Sequence, residues 1–211
     1  MTGRRPAVIA GTLLAAAVLT TPQAVAAGAE SSPVPADRTV LSAGSLGGLG
    51  PLTDLVIERL RVSDDVAASK YGTDSPIEDP VREEQVLAQV RRKAEAAGVD
   101  PGAATAFFRD QITASKSVQR GLFERWAAHP EEAPTERPDL ARIRERLDGL
   151  TTALLRELKE TERVRERPVT CAVRLALAGG SGAAREHLDG LHRQALRTAT
   201  GSVCGSAHPA P

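Results

Sequence analysis

The stretch PLTDLVIERLRVSDDVAASK, residues 51 to 70, decides how the chain is read. Leu52, Leu55, Val56, Val62 and Val66 recur at helical intervals, which predicts an amphipathic helix with one apolar stripe. Arg59 lies four residues after Leu55, and Lys70 four after Val66, so both cations fall on that stripe. They lie eleven positions apart, close to three full turns, and an unbroken helix would point both the same way. Burying an unpaired charge costs on the order of several kcal/mol. Three arrangements avoid that cost. The cations snorkel from the edge of the stripe, the helix bends at Ser63-Asp64 and swings Lys70 outward, or this face borders a polar cavity.

The rest of the chain agrees with a helical reading. Tyr71, Phe107, Phe108, Phe123 and Trp126 are the only aromatic residues among 211, while Ala, Leu, Arg and Glu abound. That composition disfavours a β-sandwich and predicts an all-α, six-helix bundle in a single domain, residues 51–205. Helices are expected at about 52–71, 77–98, 101–127, 139–164, 169–179 and 183–202. The main helices fall within 51–130 and the C-terminal helices within 139–205, with a tail at 206–211. Pro76, Pro80 and Gly72 stop the first helix and start the second, with either Ser75-Pro76 or Asp79-Pro80 as its N-cap and first position. Pro130, Pro134 and Pro138 enforce a connector, and Gly179, Gly180 and Gly182 are expected to separate the last two helices.

Both ends of the sequence carry signals. Arg4 and Arg5, the apolar run Ala7 to Leu19, and Ala24-Val25-Ala26 form the three parts of a cleavable secretory signal over residues 1–26. Thr20, Thr21 and Pro22 cut the apolar run short of a membrane span, so no stable membrane association is expected after cleavage. Residues 27–50, rich in Gly, Ser, Ala and Pro, read as a linker. The whole chain has 27 basic and 27 acidic residues. Loss of Arg4 and Arg5 leaves it slightly acidic, with no bias toward nucleic acid. In an exported chain the pair Cys171 and Cys204 is expected to form a disulfide, worth roughly 3–4 kcal/mol in the chain-entropy model.

Polar side chains recur where helical periodicity asks for apolar ones. Ser115 and Gln119 sit one turn apart in the face defined by Phe108, Ile112, Val118 and Leu122. Arg144 lies between Leu140 and Leu147 on the next helix. Arg82, with Glu83 beside it, falls near a helix start, where the macrodipole disfavours a cation. A polar core network or a solvated charge cluster explains any one of these. Together they suggest a polar cavity suited to a small polyanion, most simply a dicarboxylate, because arginine grips carboxylates bidentately. No Ser-His-Asp order, phosphate loop or metal-ligand cluster accompanies them, so neither a cofactor nor a metal is expected. Binding alone remains, or a reaction driven by positioning and electrostatics.

The segments LVIERLRVSDDVAASKY (55–71), SPIEDPVREEQVL (75–87), FFRDQITASKSVQ (107–119), LFERW (122–126) and RPDLARIR (137–144) resemble the all-helical chorismate mutases. The signal segment and the two late cysteines match the exported (gamma) subclass. The resemblance implies a cofactor-free Claisen rearrangement of chorismate to prephenate in aromatic amino-acid biosynthesis, by a secreted or periplasmic homodimer. It also implies roles. Arg59 and Arg144 would hold carboxylates with Ser115 assisting, and Lys70 and Gln119 would donate to the ether oxygen. Arg82 would complete the cationic wall, and Glu83 would accept from the ring hydroxyl. An isochorismate-pyruvate lyase on the same scaffold and a non-catalytic secreted binding protein are the competing readings.

Overall fold

A computed structural model describes residues 48–205, so the expected signal segment, most of the linker and the tail lie outside the described residues. The order is α1 (Gly50–Lys70), α2 (Pro80–Ala97), α3 (Pro101–Ala128), a single 3-10 turn at Pro130–Glu132, α4 (Leu140–Glu160), α5 (Glu162–Arg165), α6 (Pro168–Arg185) and α7 (Gly190–Ala199). Among the described residues there are no strands.

Helix starts follow the local chemistry. Asp79 and Asp100 each precede a proline at the first helical position and accept from the backbone N–H of Arg82 and Ala103. The aspartate satisfies an amide left orphaned by the helix start, and proline has no amide to orphan. Of the two starts open for the second helix, Asp79-Pro80 is the one used. Gly98, in the left-handed region at φ 65°, closes α2.

Helix α1 is the central post. It packs against α3, α4, α6 and α7, while α2 packs against α3 and α4. Leu52, Val56, Ile57, Leu60 and Ala67 are buried along it, facing Phe107 and Phe108 of α3 and Leu154 and Leu158 of α4. Leu49 is also buried, so the fold begins just inside the stretch expected to be linker. Tyr71, at the end of α1, meets Phe123 and Trp126 edge-on, with centroids 5.3 and 5.1 Å away. Val62, Ile143 and Leu150 form a smaller cluster that ties α4 to the middle of α1.

One of the alternatives left open for the first helix falls away, and two expectations need correction. Helix α1 runs unbroken through Ser63-Asp64. The expected 139–164 helix is interrupted at Thr161, after which α5 adds one more turn, so the described residues hold seven α-helices instead of six. The run Gly179, Gly180 and Gly182 does not end a helix, since α6 continues to Arg185 and the chain turns at His187, whose φ is 50°. Glycine costs a helix interior only about 1 kcal/mol relative to alanine. At Gly182 its smallness is useful, since an added Cβ would lie 2.9 Å from Ile57 Cδ1 of α1. The expected disulfide is present, joining Cys171 of α6 to Cys204 beyond α7 with Cα atoms 5.5 Å apart.

Candidate active site

Because α1 is unbroken from Gly50 to Lys70, Arg59 and Lys70 share one side of it and both line a cavity of about 220 Å³ between α1, α2, α3 and α4. Arg82, Glu83, Ser115, Gln119 and Arg144 line the same cavity, so every candidate site residue reaches it, whether picked out by periodicity, by its place at a helix start or by the resemblance.

Arg59 is half-buried and has no carboxylate in bonding contact among the described residues. Its guanidinium carbon stands 5.5 Å from the centroid of the Phe108 ring, and Nη1 donates to the Leu147 carbonyl at 3.4 Å. Burial pushes its pKa down to about 10, partly offset by the charge of Asp148. Even so, it remains a cation at neutral pH. Lys70 is also half-buried, and its Nζ donates to the Pro76 carbonyl at 2.9 Å. Burial lowers its pKa, against the opposing influence of Asp79, Glu78 and Glu83. Desolvating an ammonium penalises its charged form, and nearby carboxylates restore it.

Helix α3 contributes the neutral donors. Gln119 is 4% exposed, and its Nε2 donates to Ser115 Oγ at 3.2 Å. Its Oε1 is buried without a partner among the described residues. Such an atom carries a desolvation cost that a bound ligand or a turned amide would relieve. Arg82 and Arg144 are exposed at the rim rather than packed on inward faces. Arg82 Nη1 reaches Gln85 Oε1 at 3.4 Å. Arg144 makes no side-chain hydrogen bond or ion pair among the described residues. Both are therefore free to turn toward an anion.

Several lining residues escaped the sequence reading, and three of them are polar groups with hydrogen-bonding partners. Gln111 continues the Ser115–Gln119 ladder one turn earlier, a spacing that would have revealed it. It is 2% exposed and donates to the Ala199 carbonyl of α7 at 2.6 Å. Asp148 faces Arg59 and accepts from Gln89 Nε2 at 3.4 Å. Lys116, adjacent to Ser115, binds Glu83 and Glu78. Neither Asp148 nor Lys116 has a periodicity signal, since charged residues beside a stripe are ordinary on solvated helices.

The fold and cavity define an all-helical protein with a cation-rich pocket framed by four helices. Comparison with known proteins sharpens this. Residues 51–120 match the family model chorismate mutase type II. The chain is 38% identical over 162 residues to a secreted chorismate mutase of Mycobacterium tuberculosis, covering 77% of this chain and 81% of that protein. It is 38% identical over 156 residues to the secreted chorismate mutase of Mycolicibacterium smegmatis, covering 74% and 86%. The crystal structure of chorismate mutase from Burkholderia phymatum superimposes with a TM-score of 0.71 at 35% identity, covering 74% of this chain and 96% of that one. The chain belongs to the chorismate mutase family.

Proposed function

We propose that this protein is an exported chorismate mutase that rearranges chorismate to prephenate within its single-chain cavity. The observation that carries the proposal is the convergence of Arg59, Lys70, Arg82 and Arg144 with Ser115 and Gln119 on one cavity. Chorismate brings two carboxylates, and its rearrangement breaks an ether C–O bond while forming a C–C bond within the same molecule. Electrons move around a ring, no proton is transferred, and no covalent bond to the enzyme is needed. The protein therefore has two tasks, to hold a folded substrate and to stabilise the charge growing on the ether oxygen.

Arg59 and Arg144 take the carboxylates in this scheme, with the Ser115 hydroxyl assisting. Lys70 turns from the Pro76 carbonyl toward the ether oxygen, a stronger acceptor once it carries negative charge. The Gln119 amide supplies the second donor, and Arg82 adds positive potential at the rim. Glu83 accepts from the ring hydroxyl. All these side chains belong to one chain, so a homodimer, which the resemblance supports, would hold two independent sites.

Export is supported by the signal-like N-terminal sequence and by the secreted relatives. The test is direct assay of the purified mature protein, following prephenate formation from chorismate. Turnover of isochorismate to salicylate and pyruvate instead would assign the lyase reaction. Silence with both substrates would leave a binding protein.

A further inference from the structure

The cavity's acids raise a difficulty that its cations do not. Glu83 lines the cavity, and Glu78 lies one residue from each of two lining residues, Ile77 and Asp79. Glu83 shares that lining with Lys70, and the negative charges of both glutamates oppose the burial that lowers the Lys70 pKa. A carboxylate resting on the Lys70 ammonium would compete with the substrate for the donor that the reaction needs. In the structure neither does, because both are engaged by Lys116. Its Nζ lies 3.0 Å from each Glu83 carboxylate oxygen and 2.8 Å from Glu78 Oε2. Glu78 has a second partner in Arg120. Glu83 has no other basic partner within ion-pair distance among the described residues.

We propose that Lys116 is a positioning residue that draws Glu83 and Glu78 away from Lys70 and so keeps the Lys70 ammonium available to the substrate. This rests on the reading of the cavity as a chorismate site. Lys116 sits where it can do so because α3 places it beside Ser115, and its side chain is 19% exposed, so the pairs are partly shielded from solvent. The two partners differ in consequence. With Lys116 neutralised, Glu78 keeps Arg120, whereas Glu83 is left without a counter-charge and turns to Lys70. Asp79, the other acid acting on Lys70, is held by its capping bond to the Arg82 amide.

The test is a double-mutant cycle of Lys116→Met and Glu83→Gln, measured as kcat and KM for prephenate formation on variants shown by circular dichroism to be folded. Lys116→Met is expected to lower kcat/KM on the order of 10- to 100-fold, the scale of a misplaced catalytic contact. Lys116→Arg should recover most of the loss. Glu83→Gln should reduce kcat/KM in the parent protein yet raise it in the Lys116→Met background, since there it removes the competing charge. Lys116→Gln carries the same test if the methionine variant does not fold. Equal factors for Glu83→Gln in both backgrounds, or a Lys116→Met variant within twofold of the parent, would overturn the proposal. Absence of turnover in the parent protein would instead remove the chorismate reading itself.

Discussion

In the proposed reaction Lys70 bears the heaviest chemical demand of any single residue, because the developing charge on the ether oxygen needs a donor that is charged and partly dehydrated. Its lowered pKa fixes the sign of one pH effect. Activity is expected to fall as pH rises through a Lys70 pKa below the ordinary lysine value near 10.5. The Gln119 amide does not titrate, so kcat/KM should show no loss with an apparent pKa near 5–7. A steep drop in that range in a folded protein would remove Gln119 from the donor role, and Gln119→Glu should introduce such a drop. At this scale the sequence was informative where a residue broke a pattern. Arg59, Lys70, Ser115 and Gln119 interrupt apolar stripes and all reach the cavity, whereas Lys116 and Asp148 break no pattern and were invisible.

Among the elements, α6 and α7 show what local rules miss. Helix α6 runs through three glycines because its contact with α1 and its disulfide outweigh their modest propensity cost. Adding a Cβ at Gly179 meets nothing within 4 Å, so Gly179→Ala is expected to stabilise the protein by about 0.5–1 kcal/mol. Gly182→Leu should destabilise it by about 1–3 kcal/mol through overpacking against Ile57. Chemical denaturation measures both. The start of α7 is held by a charge chain of a different kind. His192 is 9% exposed, with Nε2 2.9 Å from Asp64 of α1 and Nδ1 2.8 Å from Asp189, which also accepts from Arg125 of α3. The bond to Asp64 raises the His192 pKa, against the effect of burial and with help from Asp189. Burial alone would raise the Asp189 pKa, but the His192 amide and ring and Arg125 hold it at about 2. Stability from a raised histidine pKa is fully present below the unfolded value near 6.5 and is lost as pH rises through the folded value. The Tm gap between the parent and His192→Gln should therefore be wider at pH 6 than at pH 9. A gap independent of pH would mean that the imidazole is not charged in the folded protein.

For the whole molecule, fold class, the first three helices and most of the fourth were legible because long amphipathic stripes and Asp-Pro starts are strong local signals. The α6–α7 boundary was not, since it depends on packing that no local pattern records. The cavity became legible only as a sum over four helices, each ambiguous alone. It is framed by α1 to α4, and the later helices contribute chiefly by burying the remaining faces of α1 and α3. The disulfide ties α6 to the segment after α7, and its reduction should lower stability by roughly 3–4 kcal/mol, measured by unfolding with and without reductant.

The claim that a cationic cavity catalyses a rearrangement by electrostatics is tested most directly by the rate of prephenate formation in the parent protein and in Lys70→Ala. The parent should convert chorismate, and the variant should lose on the order of 100- to 1,000-fold in kcat with its helicity unchanged. A folded Lys70→Ala variant with parental activity would contradict the account.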